Sequence, residues 1–176
     1  MGTIKTTNIE PIADNGTVTL GSSGDQFTLA TGAKSSFLYP GFHVLKNAAQ
    51  SVANSTSTVI TWQTESWDTN NAFASNKFTV PSGLQGKYFF YASLVIDGIP
   101  DGDVLYTQIR KNGSILLTVQ VHTGSAGSMS ALSTGQIDLA ASDYVEVSAL
   151  HNGGSSLNIR EGTNPGSFFG GFRVGT

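Results

Sequence analysis

Gly86-Lys-Tyr-Phe-Phe-Tyr-Ala-Ser-Leu-Val-Ile96 is built almost without interruption from strand-forming residues, entered from Pro81-Ser-Gly83 and left through Asp97-Gly98. Alternation places Tyr88, Phe90, Ala92, Leu94 and Ile96 on one side and Phe89, Tyr91, Ser93 and Val95 on the other. An antiparallel strand with one wet face alternates apolar with polar, and this one is apolar on both. One face fills the core of its own sandwich. The other needs a second cover, and a subunit interface supplies one.

The strands predicted elsewhere fall into two classes. Those near 104–110, 115–122 and 144–150 alternate apolar with polar, whereas 168–174, like 88–96, does not. Short extended segments are expected at 42–45, 58–62 and 77–80, and one strand or a pair over 129–139. Polar loops are expected over 47–57 and 124–130, turns at Asp68–Asn71 and Asp97–Asp103, and an Asn112-Gly113 hairpin turn. No segment longer than ten residues has helical periodicity. The expected fold is an all-β antiparallel jelly-roll sandwich of about ten strands, with one wet sheet and one sheet packed on both sides.

Composition bounds the function. The 176 residues fit one domain with a short extension. Charged residues make up 12%, about half the usual share, and six scattered lysines with a net charge of −3 exclude an electrostatic nucleic-acid binder. There is no cysteine for a disulfide or thiolate site. The opening residues hold no apolar run of the secretion-signal type, and no stretch reaches the ~18 apolar residues of a membrane helix. Membrane insertion is therefore not expected.

Residues 1–35 read as a separate arm and 36–176 as the globular part. In the arm, Val18 and Leu20 recur as Phe27 and Leu29 nine residues on, giving two similar short strands around Gly21–Asp25. So few apolar residues close no core of their own. The arm is either a disordered leader or a segment that orders against other copies or a larger partner.

Several motifs resemble the C1q/tumour-necrosis-factor-like globular domain over about residues 40–174. Phe78-Thr-Val-Pro-Ser-Gly-Leu-Gln-Gly-Lys-Tyr-Phe-Phe90 is similar to that family's strand–turn–strand, and Arg110-Lys-Asn-Gly113 to its hairpin. Ser133–Leu139 with Asp143-Tyr-Val-Glu-Val147 resembles its "L-x-x-G-D-x-V" segment, split here between Gly135 and Asp143. Ser167-Phe-Phe-Gly-Gly-Phe172 resembles its closing strand, and no collagen-like stem is present. The resemblance implies a homotrimer with the inner sheets around the three-fold axis. Interface candidates are Tyr88, Phe90, Phe168 and Phe172, or the opposite set Phe89, Tyr91 and Phe169. Which face meets the axis stays open at this point.

The leader Thr3–Asp14 with Gly16–Asp25 is similar to leaders of tail-fibre and other virion structural proteins of bacteriophages. The two resemblances together imply a trimeric fibre or knob on the exterior of a phage particle. Val18, Leu20, Phe27 and Leu29 would anchor it to other virion proteins, and the knob would contact a host-surface glycan or protein. A capsid decoration or cement protein is the main alternative, and a small polysaccharide depolymerase the second.

Nothing in the sequence reads as catalytic. The three histidines lie on different segments without ligand spacing, the four glutamates sit in no glycosidase pattern, and no Gly-x-Ser-x-Gly elbow occurs. Asp97-Gly-Ile-Pro-Asp-Gly-Asp103 lacks the EF-hand spacing and reads as a turn. No cofactor is expected, and calcium enters only through the family resemblance. Candidate ligand-contact residues are Trp62, Trp67, Asn70, Asn71, Asp101, Asp103 and Asn152, with core or interface packing as the competing role for the tryptophans.

Overall fold

In the computed structural model, residues 40–161 and 166–175 are described. They all lie in the second of the two units into which the chain divides, Met1–Phe37 and Leu38–Thr176. Val18, Leu20, Phe27 and Leu29 lie outside the described residues.

The described residues form thirteen strands and no helix. In order these are β1 (Gly41–Leu45), β2 (Gln50–Val52), β3 (Thr58–Val59), β4 (Thr64–Asp68), β5 (Phe73–Ala74) and β6 (Lys77–Thr79). They continue as β7 (Gly86–Ile99), β8 (Val104–Lys111), β9 (Ser114–His122) and β10 (Gly127–Leu139). β11 (Tyr144–His151), β12 (Leu157–Ile159) and β13 (Phe168–Gly175) complete the set. One sheet runs β2-β12-β7-β13-β1-β4 with β10 on the other flank of β7; the second runs β5-β6-β11-β8-β9 with β3 on β11. All pairings among the described residues are antiparallel, which makes them an all-β jelly-roll sandwich.

The long strands fall where β-branched and aromatic residues predict them. Asn112 and Gly113 both take positive φ, at 50° and 81°, so the β8–β9 hairpin is the mirror-image turn its sequence calls for. The differences lie in short pieces. β4 occupies a stretch where no strand is expected, between the segment at 58–62 and the turn at Asp68. β5 and β12 have two or three residues, too few for a periodic signal, and β7 runs three residues past Ile96 to Ile99.

β7 is the centre of its sheet, with β10 along one side and β13 then β12 along the other. Its inward rings Tyr88 and Phe90 are completely buried and join Phe42, Phe78 and Phe169. Phe42 stacks on Phe78 at 5.0 Å and meets Phe169 edge-on at 4.8 Å. Two glycines in β13 make this possible. Gly171 lies opposite Phe90, and a Cβ there would fall inside the Phe90 ring. Gly170 lies opposite Tyr91 on the other face, and a Cβ there would collide with the Tyr91 ring and hydroxyl. Each glycine is a seat for an aromatic ring, one on each side of the sheet.

A polar staple fixes the segment between β1 and β4. Lys46, 1% exposed, donates from Nζ to Gln50 Oε1 at 3.1 Å and to the Thr61 carbonyl at 3.2 Å. Gln50 donates in turn to the Val59 carbonyl and accepts from Thr61 N–H and hydroxyl. No carboxylate partners the ammonium in this network, and burial lowers the Lys46 pKa to about 8.

The glycine seats and the buried lysine can each be tested by substitution. Gly171→Ala should lower unfolding free energy in urea by about 1–3 kcal/mol, the range for overfilling a packed core. Gly124→Ala, where nothing lies within 4 Å of the added carbon, should change it by no more than about 0.5 kcal/mol. Because the folded state releases the Lys46 proton near pH 8 and the unfolded chain near 10.5, stability should rise with pH across that window. Lys46→Met should remove that slope, as followed by denaturant unfolding at pH 7.5, 9 and 10.

Candidate functional site

Alternation along β7 sends Phe89 and Tyr91 to the side opposite the core, and cross-strand register assembles a surface around them. Three rows cross it: Leu45–Phe168–Ser93–Leu132, then Trp67–His43–Gly170–Tyr91–Thr134, then Gly41–Phe172–Phe89–Gln136. These rows hold no permanently charged side chain. Trp67 and Phe172 are each 43% exposed, Val174 44% and Leu132 53%, while Phe89, Tyr91, His43 and Phe168 are half-buried. Soluble monomers seldom present so continuous an apolar face.

The face is ordered by ring contacts. Tyr91 lies across Gly170 and reaches His43, with its hydroxyl 3.2 Å from Nδ1. Phe168 sits 5.8 Å from the His43 ring and 6.1 Å from Tyr91. Phe172 sits 5.7 Å from Phe89. Burial among these rings lowers the His43 pKa and raises that of Tyr91, so both groups are held neutral. Lys87 and Asp138 stand opposite each other one step further along β7 and β10.

The register separates the interface candidates. Phe89, Tyr91, Phe168 and Phe172 share the outward face. Tyr88, Phe90 and Phe169 are 0% exposed inside their own subunit and are closed to a neighbouring copy. Neither grouping read from the sequence survives whole, because Phe168 and Phe172 pair across from Ser93 and Phe89 rather than from the inward residues. Tyr88 instead secures the entrance to β7: its hydroxyl donates to the Leu84 carbonyl at 2.5 Å, and burial pushes its pKa up to about 12.

The two tryptophans part company. Trp67 packs over Gly41 on the outward face, whereas Trp62 is 8% exposed and lies 5.9 Å from the core ring of Phe169. The remaining loop candidates do not converge. Asn70 and Asn71 follow β4 at the end of the sandwich where β7 begins, while Asp101, Asp103 and Asn152 sit where β7 ends. Asn152 is engaged in holding the β8 entrance, its Oδ1 accepting from Val104 N–H at 2.7 Å. Asp97 pairs with Arg160 and accepts from the Ser128 hydroxyl at 2.7 Å; the Arg160 hydrogen bond is the main cause of its lowered pKa. Among the described residues no three His, Asp or Glu side chains converge as metal ligands.

The histidines are likewise spread. His151 is fully buried and bonded to the Val52 carbonyl, His122 contacts Gln120, and His43 contacts Tyr91. None is hydrogen-bonded to a carboxylate or a serine hydroxyl, so no histidine among the described residues belongs to an assembled acid–base or nucleophile pair of side chains. Among them, no helix is long and apolar enough to cross a membrane. Sequence reasoning missed His43 as part of the aromatic face. The signal was available in its single-residue alternation with Phe42 and Val44, which places it opposite a buried pair.

No protein-family model matches the chain, and no curated protein matches it. Solved structures do. Murine APRIL, in a crystal structure at pH 5.0, is 16% identical with a TM-score of 0.56, covering 77% of this chain and 99% of that one. The globular domain of zebrafish complement 1qA is 18% identical with a TM-score of 0.54, covering 77% and 98%. Eiger TNF from S. frugiperda is 13% identical with a TM-score of 0.59, covering 78% and 93%. The chain shares the C1q/TNF-like jelly-roll fold.

Proposed function

We infer that this chain is a non-enzymatic structural and binding module that works as a homotrimer: the knob of a fibre on a bacteriophage particle, held there by residues 1–35. The observation that carries the assembly is the uncharged aromatic face of β1, β7 and β13. Covering side chains of this size contributes roughly 25 cal/mol per Å² of apolar surface. A second apolar strip lies on the other sheet, at edge strand β9, where Ile115 and Leu116 are 51% and 50% exposed. Face and strip are different surfaces, so packing one on the other is a heterologous contact, the kind that closes into a ring.

The phage context rests on the resemblance of the leader, and the trimer on that of the jelly roll. Three copies present three identical loop sets, which raises avidity for a repeated host-surface glycan or protein even when each contact is weak. Labelled antibodies and electron microscopy on particles carrying the protein separate a tail fibre from a capsid decoration protein. Absence of label from particles overturns the virion reading.

Light scattering on the full chain should give three times the 18.4 kDa monomer mass. Phe89→Asp with Phe172→Asp should yield a folded monomer, because both side chains sit on the outward face. Phe90→Asp should instead prevent folding, as it places an unpaired carboxylate in the aromatic core. A trimer that survives the double substitution overturns the interface.

Assembly should also depend on pH through His43. Among the described residues Tyr91 is the titratable side chain that meets it across the sheet; Trp67 of β4 and Phe168 and Gly170 of β13 offer no compensating charge. Above its usual value of 6.5 the imidazole is neutral in free and assembled subunits alike. Burial within the subunit already lowers the His43 pKa, and below that lowered value a free subunit takes up a proton that the covered face resists, so assembly weakens as pH falls through it. Native mass at pH 7.5 and pH 5 measures this, and His43→Gln should flatten the difference.

A further inference from the structure

His151-Asn152-Gly153 closes β11 beside the start of β8, at the end of the sandwich where β7 also ends. His151 is fully buried and bridges two backbone groups. Its Nε2 lies 2.9 Å from the Val52 carbonyl, and its Nδ1 lies 3.2 Å from the amide nitrogen of Gly153. A carbonyl accepts and a backbone N–H donates. Both contacts are therefore met by the neutral tautomer with its proton on Nε2, which directs the Nδ1 lone pair at Gly153 N–H.

The side chain between these two residues is held as well. Asn152 Oδ1 accepts from Val104 N–H at 2.7 Å, while the residue itself is open to water. Gly153 is buried, and a Cβ there would come within 2.8 Å of Leu157 Cδ1 and 3.1 Å of Pro100 Cδ. Glycine fits this space, and it also leaves its own backbone nitrogen the least hindered.

We propose that Asn152 is a self-modifying site, at which the Gly153 nitrogen attacks the Asn152 side-chain amide and closes a succinimide ring. Three parts of an acyl-transfer site converge here. His151 Nδ1 is the general base for the Gly153 N–H proton. Val104 N–H stands on the oxygen that becomes negative as the amide carbon turns tetrahedral. Asn152 Nδ2 is the leaving group, on an exposed residue. The bond from Gly153 N to Asn152 Cγ forms and the Cγ–Nδ2 bond breaks. The proton taken from Gly153 N reaches Nδ2 through solvent, and ammonia departs. Water then opens either carbonyl of the ring, giving aspartate or isoaspartate.

Asn112-Gly113 is the same dipeptide in different surroundings. Asn112 Nδ2 donates to Asp143 Oδ1 at 2.7 Å and its Oδ1 accepts from Tyr144 N–H at 2.9 Å, so both ends of that amide are tied. The histidines have their contacts elsewhere. Modification at 152 puts a new carboxylate beside the Asp103–Val104 peptide, in a region that already carries Asp101. Aspartate keeps an acceptor for Val104 N–H, whereas isoaspartate adds a main-chain carbon and distorts the turn. A candidate contact loop thus changes its charge with age. The inference stands apart from the proposed assembly and from the phage context.

The test ages the full chain at pH 7.5 in two samples, one native and one in guanidinium chloride. Peptides are then mapped by mass spectrometry against synthetic aspartyl and isoaspartyl standards, which also reads Asn15-Gly16 on its own peptide. Folding ordinarily slows this reaction by holding the chain, and Asn112 should show that. Asn152 should do the reverse, reacting about tenfold faster in the native sample, within the reach of a positioned base, and giving both products. His151→Gln, whose amide can still donate to the Val52 carbonyl, should lose that advantage when thermal melting shows it folded. If this variant does not fold, the native and denatured samples decide alone. Asn152 that stays intact, reacts no faster in the native sample or yields aspartate only overturns the proposal, as does an unchanged rate in folded His151→Gln.

Discussion

Large rings on both faces of one strand need a neighbouring strand that gives them room, and the sheet is built on that fit. β7 offers Phe90 inward and Tyr91 outward, and β13 answers with Gly171 and Gly170 at the matching register positions. Glycine in a strand interior weakens the strand by leaving it more freedom to lose on folding and no side chain to pack. The cost is offset here because each missing Cβ lets an aromatic ring lie flat across the backbone. Without the inner seat the core loses the Phe90–Phe169 stack; without the outer one Tyr91 does not reach His43.

From that pair of seats the rest of the surface follows. On the inside, the cluster around Phe42 joins both sheets into one core. On the outside, the same register lines up an aromatic surface whose titratable members, His43 and Tyr91, are both driven toward neutrality by their surroundings. A face of this kind is ill suited to water and well suited to another protein surface of similar polarity. Charge is kept to the margins, where the Arg160–Asp97 pair and the Lys111–Asp143 pair close opposite ends of the sandwich. Asp143 is held at a pKa of about 2, chiefly by its bond from Lys111 and then by Asn112, so this end keeps its charge pattern into acid.

The fold alone does not assign function, since one jelly roll hosts many partners. The described residues hold no converging ligand set for a metal, and their histidines bond to neutral groups. What distinguishes the surface chemically is the continuous apolar area of the face built on β1, β7 and β13.

Fold class and the unusual character of two strands are legible in the residues alone. Eleven residues from Gly86 that are apolar in both phases, and a closing strand of phenylalanines and glycines, require a sheet covered on both sides whatever their partners are. The Asn112-Gly113 hairpin is legible too, because positive φ is a local property of those residues. Which rings share a face is not, since alternation relates residues within a strand, and only the β7–β13 register relates Phe168 to Ser93 rather than to Tyr91. A shift by one residue would exchange core and surface. The division of Trp62 from Trp67 and the Lys46–Gln50 staple arise later still, in the folded chain. Each joins segments whose spacing carries no periodic signal, and only packing brings their atoms together.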